Sequence, residues 1–397
     1  MIVTLKDITT KITKGTTPTS IGCKFEKSGI NFIKSESLVD GKTIDKSKFA
    51  FISERTHERL KRSQIEENDI LFSMAGMFLG KTGIATAEVV PANTNQAVAI
   101  IRVDDTKANY EYVYYYLNQK SVIHTINTTS AQSAQPNINL KQIGKIKINL
   151  PNRKKQDQIV SLLSAIDLKI SNNVEINDNL EQQAQSYFQE LFVDNADPEW
   201  TTGTISDLGT VVGGSTPSKA KPEYYTESGI AWITPKDLSN NKSKFVSHGE
   251  NDITELGLRN SSASIMPEGT VLFSSRAPIG YIAIAAGEVT TNQGFKSVVP
   301  KPEIGTPFVY FFLKNTLPVI EGMASGSTFK EVSGSTMKNV PAVIPDAETL
   351  AKFSDFCAPI FAQQRILEEQ NQSLATLRDN LLPKLMSGEI DVSAVQL

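Results

Sequence analysis

The sequence predicts an α+β chain: two repeated mixed globular units, each followed by a long helix, with the two helices pairing as an antiparallel coiled coil. Three observations carry this. In residues 156–191 the positions Ile159, Leu163, Ile166, Ile170, Leu180, Ala184, Tyr187 and Leu191 follow steps of three and four, with Asn173 and Asn177 completing the register. That is a heptad seam. A related pattern returns at 353–385 through Phe353, Phe356, Ile360, Leu367, Leu374, Leu377, Leu381 and Leu385, interrupted by Gln363 and Gln370. Third, the segments ahead of the two helices repeat each other, motif by motif, about 200 residues apart.

Each seam is a narrow apolar stripe, and at 1.5 Å per residue a stretch of about 30 residues runs roughly 45–50 Å. Such a stripe needs a partner in water. Each helix can pack on its own globular unit, or the two can pack on each other; the duplication favours the second arrangement.

The repeats set the organisation. Leu5-Lys6-Asp7-Ile8 returns as Ile205-Ser206-Asp207-Leu208, and Gly15-Thr16-Thr17-Pro18 as Gly214-Ser215-Thr216-Pro217. Ser28-Gly29-Ile30 returns as Ser228-Gly229-Ile230, Ile70-Leu71-Phe72-Ser73 as Val271-Leu272-Phe273-Ser274, and Thr94-Asn95-Gln96 as Thr291-Asn292-Gln293. The period is too long for a solenoid, so one domain-plus-helix unit occurs twice. The boundaries are 1–152 for the first globular unit, 153–193 for its helix, 194–201 for a linker, 202–346 for the second unit, 347–388 for its helix and 389–397 for a tail. Within each unit, short runs bounded by Gly, Pro, Asn and Ser read as strands. The aromatic clusters at 110–118 and 307–317 read as short amphipathic core helices, or as platforms on which bases stack.

Composition narrows the function. At 397 residues, 40% apolar and 21% charged, the chain is ordinary in class and too long for one core. No apolar run is long enough to span a bilayer, and the first fifteen residues do not form a signal peptide, so a cytoplasmic protein without membrane contact is expected. Cys23 and Cys357 lie in different segments, and His57, His124 and His248 are dispersed, so no metal site is expected. Net charge is −3, but its distribution is uneven. Residues 1–155 carry 23 basic against 14 acidic side chains, whereas 156–200 carry one against nine. Residues 201–350 are near neutral, with 12 against 14. Any phosphate contact therefore belongs to the globular units, above all the first, and not to the acidic helix.

These residues bring a family into view. The duplicated Gly-x-Thr-Pro turn, the repeated Asn-Gln pair, the polar loop Gln135-Pro136-Asn137-Ile138, the aliphatic-Pro exits Leu150-Pro151 and Ile344-Pro345, and the closing heptad helices resemble the specificity subunit of type I restriction-modification systems, across essentially the whole chain. The resemblance implies two target-recognition domains, each reading half of a bipartite site on double-stranded DNA. It implies that the helices act as a spacer, with two methyltransferase (modification) subunits and restriction/translocase subunits as partners. S-adenosylmethionine, Mg and ATP would be bound by those partners, and none by this chain. The alternative is a related system in which such a subunit serves a fused restriction-methylation enzyme.

Catalytic signatures are missing from the chain itself. Gly76-Met77-Phe78-Leu79-Gly80-Lys81-Thr82 has three residues between its glycines where a phosphate loop needs four, and the second copy, from Ser275 to Tyr281, lacks the Lys. Asp197-Pro198-Glu199-Trp200 misses the second Pro of an adenine-methylase loop. A non-catalytic DNA-recognition subunit is the expectation, against a two-domain methylase or nuclease with a degenerate site.

The expected DNA contacts divide by chemistry. Phosphate contacts fall to Lys14, Thr16, Thr17, Lys34, Lys81, Ser215, Thr216, Lys236 and Lys330. Base reading falls to Ser73, Met74, Ser275, Arg276, Gln132, Gln135, Ser327 and Thr328. Asn95-Gln96 and Asn292-Gln293 either hold adenine or hold their own loops; being identical in both copies, they cannot distinguish two half-sites. Specificity belongs where the copies differ, most sharply at 75–81 against 275–279. Helix pairing is assigned to Ile159, Leu163, Ile166, Ile170, Leu180, Ile360, Leu367, Leu374, Leu377 and Leu381.

Overall fold

The computed structural model describes all residues except 40, 131–136, 327–329 and 393–397. The chain divides into two compact units, residues 1–168 with 374–397, and residues 169–373. Both are mixed α and β, as the sequence predicts.

In the first unit the strands Thr9–Lys14, Val98–Val103, Ile70–Ser73 and Thr82–Ile84 form an antiparallel sheet in that order. A second, mixed sheet orders Ala50–Ile52, Ile30–Ile33, Ala92–Thr94 and Gln64–Ile65. Ile70-Leu71-Phe72 is buried throughout because its alternate side chains enter two cores. Ile70 and Phe72 face a cluster with Tyr112, Leu117, Ile159, Leu163, Leu382 and Leu385, while Leu71 faces Ile33, Leu38 and Val98. Tyr112, Tyr114 and Tyr115 are core residues, so the helix Tyr110–Leu117 offers no stacking platform through them.

The second unit repeats the plan. Its main sheet orders Gly209–Gly213, Lys296–Pro300, Val271–Ser275, Ile279–Ala285 and the added edge strand Phe245–Val246. The repeat extends to side-chain detail: Asp7 caps Thr4 as Asp207 caps Thr204. A side chain on Gly15 would put its Cβ 1.9 Å from the Thr94 carbonyl oxygen, and one on Gly214 would lie 2.0 Å from that of Asn292. The recurring glycine is therefore required by the close passage of two backbones.

Both long helices start where the sequence places them: Arg153–Gln189, continued by a π-helical turn at Glu190–Asp194, and Ala347–Ser387, the latter running through Pro359 and Pro383. In the second unit they run antiparallel. Asn173 Nδ2 donates to Asn371 Oδ1 at 2.8 Å, Asn177 Nδ2 to the Gln364 carbonyl at 3.4 Å, and Tyr187 lies 4.5 Å from Phe356, ring centre to ring centre. Antiparallel contacts also join their other ends within the first unit, where Arg378 pairs with Asp167 at 3.1 Å and Asn149 Nδ2 donates to the Met386 carbonyl at 3.0 Å.

The first seam lies where the sequence places it: Ile159, Leu163 and Ile166 are buried, and Ile170 and Leu180 are half-buried. The second requires a correction. Its true line runs Phe353, Cys357, Ile360, Gln364, Leu367, Asn371, Leu374, Arg378, Leu381 and Leu385. Ile360 and Leu367 are buried on it and Leu374 and Leu381 half-buried, but Leu377, 48% exposed, and Gln363 lie off the seam, while Phe356 and Gln370 flank it against Tyr187 and Asn173. The physical reason is that every seventh position, Gln364, Asn371 and Arg378, is polar and bonded across the pair, so apolar spacing alone points one residue aside.

Candidate nucleic-acid interface

In the second unit, the Gly-x-Thr-Pro turn and the Asn-Gln pair meet at the rim of a cleft of about 620 Å³, whose lining includes Thr216, Lys219, Trp232, Lys236, Arg276 and Gln293. The turn is fixed from beneath. The Ser215 amide donates to the Thr291 carbonyl at 2.9 Å, Trp232 Nε1 to the Ser215 carbonyl at 3.0 Å, and Tyr225 Oη to the Pro217 carbonyl at 2.6 Å. Thr216 Oγ1 donates to Gln293 Oε1, and Asn292 Oδ1 accepts the Gly294 amide at 2.8 Å. The first unit repeats these last two bonds: Thr17 Oγ1 donates to Gln96 Oε1 and Asn95 Oδ1 accepts the Ala97 amide at 3.0 Å. The Asn side chains are thus holders of their own loops. Asn292→Ala should cost about 0.5–1.5 kcal/mol of stability, read by chemical denaturation, and leave any DNA sequence preference unchanged.

Arg276 stands at the tip between the strands Val271–Ser275 and Ile279–Ala285. The next residue, Ala277, is held at φ 51°, a left-handed conformation that costs a non-glycine residue energy and that clusters at functional turns. Arg276 Nη1 lies 3.5 Å from Glu331 Oε2, and Lys296 3.8 Å from the other oxygen. Burial pulls the Lys296 ammonium below its ordinary value. Lys236, exposed, pairs with Glu250 at 2.6 Å, and Lys330 is exposed.

The matching loop of the first unit carries no Arg but presents Met77, 89% exposed. Around that unit's turn, Lys14 is exposed, Thr16 half-buried, and Lys34 sits 3.6 Å from Glu36 and over the Phe25 ring. Lys81 is half-buried. A cluster missed by sequence reasoning adjoins these residues. Arg62 Nη2 donates to Thr16 Oγ1 at 3.1 Å and Arg59 Nη2 to the Ile21 carbonyl at 3.0 Å, with Arg55 and Lys61 exposed beside them. The density of basic residues in 55–62 was the available signal.

Three assigned base readers are corrected. Ser73 and Ser275 are fully buried and Met74 is 6% exposed, because each ends a core strand. Ser275 Oγ donates to the Gly294 carbonyl at 3.1 Å, and the Met74 amide to that of Ala97 at 2.8 Å, so these side chains have no surface to offer a base. Gln132, Gln135, Ser327 and Thr328 lie outside the described residues. Among the described residues there is no group of three or more His, Cys, Asp or Glu able to hold a metal ion, and no helix long and apolar enough to cross a membrane.

Known proteins are similar to this chain. The chain is 39% identical over 194 residues to the type I restriction enzyme MjaIX specificity subunit of Methanocaldococcus jannaschii, an alignment covering 47% of the chain and 45% of that relative, so it spans under half of that relative's length. It is 23% identical over 357 residues to the type I restriction enzyme HindI specificity subunit of Haemophilus influenzae, covering 70% and 77%. The crystal structure of the type I restriction-modification system S subunit from M. genitalium has the same fold, with a TM-score of 0.57 at 17% identity over 97% of this chain and 95% of that one. The family profile described as type I restriction modification DNA specificity domain matches residues 1–182 and 198–377, once for each copy of the repeat, and the chain belongs to that family.

Proposed function

We propose that this chain is the DNA-recognition subunit of a type I restriction-modification complex. It binds a bipartite site on double-stranded DNA, one half through each globular unit, and does no chemistry itself. The observation that carries the reading is the cleft of the second unit, where the repeated turn, Lys219, Lys236 and Arg276, which the matching loop of the first unit lacks, converge. Backbone-tied turns and lysines suit phosphate, and an Arg fork suits a guanine edge. Thr17 and Thr216, being donors to Gln96 and Gln293, keep lone pairs but not their protons for DNA. The surfaces of the first unit that face phosphate are Lys14, Lys34 and the cluster of Arg55, Arg59, Lys61 and Arg62.

Two modification subunits supply S-adenosylmethionine-dependent methylation in this reading, and restriction subunits supply ATP- and Mg-dependent cleavage. The helices set the gap between half-sites. Inserting one heptad into each helix at matching depth, after residues 173 and 371, should change the accepted gap and leave both half-sites unchanged, read from the methylated motif of the co-expressed complex. An insertion that changes the bases read would sink the spacer role.

A further inference from the structure

A second basic surface lies on the first unit, away from the turn. The edge strand Thr9–Lys14 and the short helix Leu140–Gly144 flank a groove of about 530 Å³ whose lining includes Lys6, Lys11, Lys141 and Lys145. Lys147 follows in the next strand. Lys6, Lys141, Lys145 and Lys147 are exposed, Lys11 is half-buried, and among the described residues none of the five is in an ion pair. Asp7, beside Lys6 and itself exposed, accepts the Thr4 amide at 2.8 Å and the Thr4 hydroxyl at 2.6 Å.

The fold does not require these lysines. The Leu5 amide donates to the Ile146 carbonyl at 2.8 Å, and the Ile205 amide to the Val340 carbonyl at 3.0 Å, which fixes the correspondence between copies. By that register the second unit has Ser206, Ser335, Asn339 and Pro341 where the first has Lys6, Lys141, Lys145 and Lys147, and its edge strand Gly209–Gly213 is uncharged. Lys11 lies three residues before Lys14 on one strand, which places the groove near in sequence to the turn already assigned to phosphate.

We propose that this groove binds the phosphodiester backbone of DNA flanking the first half-site, and that only the first unit has such an extension. The inference rests on the DNA-binding reading above. Its chemistry favours nucleic acid over an acidic protein: unpaired Lys is a point charge indifferent to sequence, and protein interfaces are depleted in Lys and anchored by Trp, Tyr and Arg.

The test is equilibrium binding of the complex of full-length chain and modification subunits to a duplex carrying its site with about 20 base pairs of flank on each side, titrated with salt. The variant carries the second unit's residues, Lys6→Ser, Lys141→Ser and Lys145→Asn. Each lost phosphate contact removes about 0.9 from the slope of log affinity on log salt, so the triple variant should lose roughly 2–3 and the single Lys145→Asn about 0.9, with the methylated motif retained. Trimming the flank beside the first half-site should erase the difference; trimming the other should not. A parent complex that fails to bind the duplex would overturn the DNA-binding reading itself. Parent and variants with equal slopes and footprints would overturn only this inference, as would a variant with an unchanged slope that binds the modification subunits less tightly.

Discussion

Glu181→Gln is expected to destabilise the second unit by about 3–5 kcal/mol, the cost typical of removing one partner of a buried ion pair. The Lys244 side chain is 7% exposed, with Nζ 2.7 Å from Glu181 Oε2, 2.9 Å from Gln364 Oε1 and 3.5 Å from the centre of the Phe361 ring. Lys314 reaches the other oxygen of Glu181 at 2.5 Å. From the second long helix, Glu368 accepts the Lys244 and Phe245 amides at 2.7 and 3.0 Å. This network fastens the edge strand to both long helices within the unit. The first unit answers it with Lys42, which bonds Glu111 and Ser164 and lies 3.8 Å from Asp167. With Glu181 neutralised, the Lys244 ammonium would stay buried without its counter-charge.

Burial alone would raise the Glu181 carboxyl, but Lys244 and Lys314 outweigh it and hold it down at about 2, against an ordinary 4.5. A carboxylate that titrates lower in the folded chain stabilises it fully above 4.5 and withdraws that contribution as pH falls toward 2. The acid limb of stability between those values should therefore be shallower in Glu181→Gln. Both tryptophans, Trp200 and Trp232, belong to the second unit, so fluorescence-detected denaturation reads that unit alone. A loss below about 1 kcal/mol, the range of an exposed pair, would contradict this account of the network.

Arg276→Ala should relax one position of the second half-site and leave the first half-site and the gap untouched. A bidentate Arg–guanine contact discriminates by about 1–3 kcal/mol, or roughly 5- to 150-fold against the wrong base. Arg276 lines the cleft and Glu331 lies 3.5 Å from its Nη1, and Arg276→Lys should lose most of the discrimination because Lys lacks the planar fork. Competition binding against duplexes differing at single positions reads the effect. Uniform weakening over all sequences, with the salt slope reduced by about one, would mark Arg276 as a phosphate contact instead.

The repeat and the first helix were legible because their signals are local: apolar residues at heptad steps, and short motifs returning in order. In the second helix one line of the seam, Ile360, Leu367, Leu374 and Leu381, was placed correctly and the other was read one residue early, because Gln364, Asn371 and Arg378 occupy it and polar residues there look like surface until their partners are known. The tie from Thr17 to Gln96, and from Thr216 to Gln293, joins residues 79 and 77 positions apart, a distance no local pattern spans. Their place at the ends of matched strands marked Ser73 and Ser275 for attention but says nothing about burial, and a small hydroxyl at a strand end fits a core as well as a surface. Recurrence hid Arg59 and Arg62. They lie in a segment where the copies diverge, which is where the two units must differ if they read different sequences.

The most direct measurement is to co-express the chain with the modification subunit encoded beside it and map methylated adenines on host DNA by single-molecule sequencing. The account predicts one bipartite motif, two short specified halves separated by a gap of constant length. A contiguous motif, or no methylation despite a stable complex, would contradict it.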